Sequence, residues 1–79
     1  MNLPEIIERF NELNEQTPDH YNGMALGSAA KPSDAMMVVN DIIDEFRSDS
    51  SYDDLVLEMQ YLKAALNPLV AEEERQKNL

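Results

Sequence analysis

His20 directly follows Asp19, and an imidazole beside a carboxylate is the smallest unit of a proton relay. A relay needs a nucleophile to serve. The chain has no cysteine, no serine stands at a recognisable spacing from the pair, and the pair falls in the most turn-rich stretch of the sequence. His20 therefore reads as a solvated loop histidine. The many carboxylates raise the question of a metal. A ferritin-like di-iron site needs Glu-x-x-His on core-facing helix positions, and that motif does not occur. The acid-rich runs Asp41-Ile-Ile-Asp44-Glu45 and Asp49-Ser-Ser-Tyr-Asp53-Asp54 lack the order of oxygen ligands that an EF-hand loop requires. Gly23-Met-Ala-Leu-Gly27 lacks the lysine and the flanking strand of a phosphate loop. No catalytic residue, cofactor or metal site is expected, and the chain reads as a non-enzyme.

The carboxylates have a different regularity. Glu5, Glu8, Glu12 and Glu15 recur three and four residues apart, a rise of about 4.5–6 Å per step along one helix face. Asp34, Asp41, Asp44 and Glu45 continue the pattern in a second segment, with Met37 projecting among them. Backbone phosphates are spaced on a comparable scale. Such a face fits a basic groove, including one that otherwise holds nucleic acid, and an exposed methionine adds an adaptable apolar contact. The solvating role of acidic helix faces is the competing explanation. The first 62 residues hold 13 of the 16 acidic residues and three of the six basic ones, which is the whole of the net charge of −10. That field repels nucleic acid and anionic membrane, so direct nucleic-acid binding is not expected, and a protein partner with a basic surface is.

These faces need helices to carry them. Apolar Leu3, Ile6, Phe10 and Leu13 fall opposite the first glutamate set at about 100° per residue, which predicts a helix over about 4–15 with Pro4 at its first position. Residues 16–32 lose the periodicity and read as a loop, pinned over the core by Tyr21, Met24 and Leu26. Ala35, Val39, Ile42 and Phe46 form the stripe of a helix over about 33–47. Ser51 and Asp54 have capping-box spacing for a helix over about 52–66. Its seam of Tyr52, Leu55, Met59, Leu62, Leu66 and Leu69 is the clearest heptad in the chain. Pro68 should kink or restart this helix, leaving 68–77 as a polar helical tail. The short break at 48–50 makes the second and third helices an antiparallel hairpin. The expected fold is all-α: one domain spanning 1–79, a small bundle of an N-terminal helix and that hairpin.

A chain of 79 residues without cysteine has little core and no disulfide to supplement it. Leu57, Tyr61 and Ala64 form a second apolar stripe on the third helix, facing away from its seam. A homodimer joined by these residues is the expected way of adding core. The opening Met-Asn-Leu-Pro-Glu-Ile-Ile has no positive n-region and no apolar run approaches a membrane span, so a cytoplasmic protein is expected. The functional expectation is a small acidic protein that binds and modulates or inhibits a basic partner, with phosphate mimicry as one form, as in phage and mobile-element inhibitors. The alternative is a structural or assembly subunit that forms obligate helical oligomers.

Overall fold

A computed structural model describes residues 1–17 and 25–78 of the chain. Among these residues there are three α-helices and no strand: α1 (Leu3–Asn14), α2 (Pro32–Phe46) and α3 (Asp53–Lys77), the last preceded by a 3-10 turn at Ser50–Tyr52. None of the described helices is long and apolar enough to cross a membrane. The all-α reading holds.

Local chemistry sets where each helix starts. At α1 the side chain of Asn2 accepts from the Glu5 backbone N–H at 3.0 Å, and the Glu5 carboxylate accepts from the Asn2 N–H at 3.3 Å. This reciprocal cap moves the helix start to Leu3 and places Pro4 one position later than the sequence expectation. At α2, Pro32 takes the first helical position and the Asp34 carboxylate accepts from the Lys31 N–H at 3.1 Å. The expected Ser51 cap of α3 is not formed. Instead the Asp49 carboxylate accepts from the Ser51 N–H at 3.0 Å and caps the 3-10 turn that leads into the helix. Phe46 and Tyr52 then pack against each other across the connection, ring centroids 4.5 Å apart and planes inclined at 43°.

α3 does not restart at Pro68 but runs unbroken for 25 residues. Proline removes the N–H that the Ala64 carbonyl would accept from. Both residues are exposed, so water can take that role and the helix continues. At ~1.5 Å per residue α3 is about 37 Å long, and it accounts for most of the 43 Å long axis of the molecule.

The core is the convergence of three stripes. Ile6, Phe10 and Leu13 of α1 and Ala35, Val39, Ile42 and Phe46 of α2 close onto Leu55, Met59, Leu62 and Leu66 of α3. Leu26, from the segment before α2, packs against the edge of this cluster as expected; Tyr21 and Met24 lie outside the described residues. Val38, which fits neither face of its helix in sequence, is half-buried against the core. The end of α1 is closed by Thr17, whose hydroxyl lies 2.6 Å from the Asn14 carbonyl and 3.0 Å from its Oδ1.

Two predictions follow the seam. Leu62 is 3% exposed, so Leu62→Ala should lower the free energy of unfolding by about 2–5 kcal/mol, while Glu15→Gln, at the exposed residue just past the end of α1, should change it by less than about 0.5 kcal/mol. Glu73 continues the seam spacing beyond Leu69, and its two carboxylate oxygens are shielded from solvent with no hydrogen-bond partner among the described residues. A shielded, unmatched carboxylate opposes folding, so Glu73→Met should raise the denaturation midpoint.

Candidate partner-binding surfaces

Glu5, Glu8 and Glu12 of α1, and Glu15 just past its end, are all exposed and stand opposite its buried stripe, as their spacing requires. They are not equivalent. Glu5 is engaged in the helix cap. Glu12 receives the Nη1 of Arg9 at 3.0 Å. The same guanidinium reaches across to α3, where its Nε and Nη2 donate to Glu58 Oε2 at 3.3 and 3.0 Å. Glu58 first, then Glu12, holds the Arg9 guanidinium above the usual arginine range. Arg9 and Glu58 are 40% and 43% exposed, so solvent screens the pair and its main effect is to orient α1 on α3. Glu8 and Glu15 make no ion pair among the described residues.

On α2, Asp34, Asp41, Asp44 and Glu45 are exposed around Met37, itself 62% exposed. Asp34 is tied to the cap and Asp44 makes a 3.6 Å contact with Arg47, both side chains well solvated. Asp41 and Glu45 have no cation beside them among the described residues. Each acidic stripe lies opposite its own helix's core stripe. Because α1 and α2 both turn those core stripes toward α3, their acidic stripes diverge and form two surfaces rather than one continuous face.

One feature carries no periodic signal in the sequence. The Asn11 side chain binds the backbone of Leu26 in both directions, Nδ2 donating to the Leu26 carbonyl and Oδ1 accepting its N–H, each at 2.9 Å. The amide thus substitutes for a strand partner and straps the segment before α2 against α1. The strap leaves a cavity of about 370 Å³ walled by Leu3, Pro4, Ile7 and Leu26, with Glu8, Asn11 and Ser28 at its rim.

Leu57, Tyr61 and Ala64 are exposed, the first two by 48% and 66%. α1 does not cover them, because it docks on the seam side of α3 with α2. His20 and Asp19 lie outside the described residues. Among the described residues no three histidine or carboxylate side chains converge to hold a metal ion. No protein-family model matches the chain, and no curated protein or solved structure matches it.

The Asn11 strap is testable by splitting its two bonds. Asn11→Ala should lower stability by about 1–2 kcal/mol and speed hydrogen exchange at the Leu26 amide. Asn11→Asp keeps the acceptor and loses the donor, so it should preserve most of the Leu26 protection.

Proposed function

We propose that this chain is a non-catalytic acidic binding protein that occupies the basic surface of a protein partner and so modulates or inhibits it. The reading rests above all on Met37, an exposed apolar side chain that shares its helix face with Asp34 and Asp41 one turn away on either side and with Asp44 and Glu45 a further turn on, two of the four without a cation among the described residues. A face that served solubility alone would gain nothing from an exposed methionine among its carboxylates. A binding face does, since Met adapts to an apolar spot while the surrounding charges steer approach. The α1 stripe adds long-range attraction from a second direction. Carboxylates at helical rises suit a groove shaped for phosphates, which makes a nucleic-acid-binding protein the favoured partner class and phosphate mimicry the mode. Nucleic acid itself is repelled by the net charge of −10. In this reading the protein acts in the cytoplasm.

Two variants separate the contributions. Asp41→Asn, Asp44→Asn and Glu45→Gln together leave the α2 cap intact. They should weaken partner capture roughly ten- to a hundredfold at about 50 mM salt and much less at about 500 mM. Met37→Ala should weaken capture similarly at both salts, as apolar contacts do. Duplex DNA should compete for the captured partner. Capture that is indifferent to the triple substitution and to DNA would leave the acidic faces with a solvating role alone.

A further inference from the structure

We infer that the outer face of α3 is the surface on which a second copy of this chain docks, with the two helices antiparallel and the dyad passing beside Ala64. This inference is independent of the partner reading above. Within about 60° of Ala64 around the helix, every side chain from 57 to 71 is exposed and none is charged. Leu57, Tyr61, Pro68 and Ala71 supply apolar surface and Gln60 and Asn67 supply amides. Elsewhere on the outer surfaces of α1 and α2 carboxylates dominate. An approaching copy carries the same net charge of −10, so it is repelled by those surfaces and admitted where the charge is nil.

The ends of the face are complementary under reversal. Asp53 and Arg75 stand 11 residues before and 11 after Ala64, both exposed and on the same side of α3. Reversing one helix on the other about Ala64 maps the face onto itself, as it would for any helix. The residues that meet are specific to this chain. Asp53 meets Arg75 of the second copy at both ends, and Leu57 meets Ala71, large against small. Tyr61 comes against Pro68, and Gln60 comes beside the Asn67 amide. In the isolated chain Arg75 contacts Glu72 at 2.9 Å with both side chains half or more exposed, a pair easily exchanged for an intermolecular one. A parallel arrangement would instead set Asp53 against Asp53.

The centre of the face also suits close approach. Ala64 has the smallest side chain that still shields a helix backbone, and its carbonyl is the one that Pro68 leaves without a helical donor. Gln60 and Asn67 of the second copy flank that carbonyl and can donate to it, so docking satisfies an acceptor that is otherwise left to water. The surface is isologous: the same residues are used by both partners. One helix pair of this length lies below the ~1,200 Å² of a standard interface, so association should be concentration-dependent in the micromolar range or weaker.

Sedimentation equilibrium from about 10 to 500 µM tests this. The mass should rise from 9.0 kDa toward twice that value, and Ala64→Glu, which sets two carboxylates at the dyad, should remain monomeric throughout with an unchanged unfolding midpoint. Orientation is read by oxidation, since the chain has no native cysteine. Ala64→Cys should form a disulfide-linked dimer readily, and Asp53→Cys should not, because in the antiparallel pair the two copies of position 53 lie at opposite ends. A monomer at all concentrations, a dimer that survives Ala64→Glu, or efficient self-crosslinking of Asp53→Cys would each overturn the proposal.

Discussion

One apolar seam has to hold two helices. Leu55, Met59, Leu62 and Leu66 of α3 are the common wall on which both α1 and α2 close, and all the remaining architecture follows from that sharing. A chain of this size buries only about 60% of its unfolded surface, so no second core is available to secure α1 separately. α1 has 12 residues, too few to be stable alone in water, and persists because three of its side chains reach the seam. The same geometry frees the outer faces. With both core stripes turned inward, nothing restrains the outer residues of α1 and α2 from being carboxylates.

Electrostatics then divides the surface. The carboxylates repel one another and oppose compaction, and few cations offset them inside the fold. Among the described residues, Arg9 is the cation that links two helices, through Glu58. Arg47 and Arg75 each contact an acid one turn away on their own helix. The outer faces of α1 and α2 are left strongly negative, and the outer face of α3 is left uncharged over its middle and balanced at its ends. A basic partner and a second copy of the chain would therefore not compete for the same surface. Under the two proposals the first would be drawn to α1 and α2, the second to α3.

Much of this was legible in the residues. The seam appeared as a heptad because packed helices impose a period near 3.5, and every expected seam position from Leu55 to Leu66 is buried. The acidic faces and the exposure of Met37, Leu57 and Tyr61 followed from the same angular argument. What was not legible has definite causes. The helix starts moved because Asn2 and Asp49 bind backbone N–H groups, a local competition that periodicity does not register. Pro68 was expected to interrupt α3, yet its cost is met by solvent on an exposed face. The Asn11 strap joins residues 15 apart through one amide, and no pattern announces it. That the two acidic stripes diverge became visible only once both core stripes were seen to converge on α3.

The shared seam makes one demand on the native state, that α1, although it packs on α3 less extensively than α2 does, opens only together with the other two helices. Native-state hydrogen exchange, followed residue by residue, tests it directly. The account predicts that amides near Phe10 in α1, near Ile42 in α2 and from Met59 to Leu66 in α3 share a single, highest protection set by global unfolding, and that residues 70–77 exchange far faster. If the α1 amides exchanged orders of magnitude faster than those of α2 and α3, the protein would be a helical hairpin with a loosely attached segment, and the seam would not be shared.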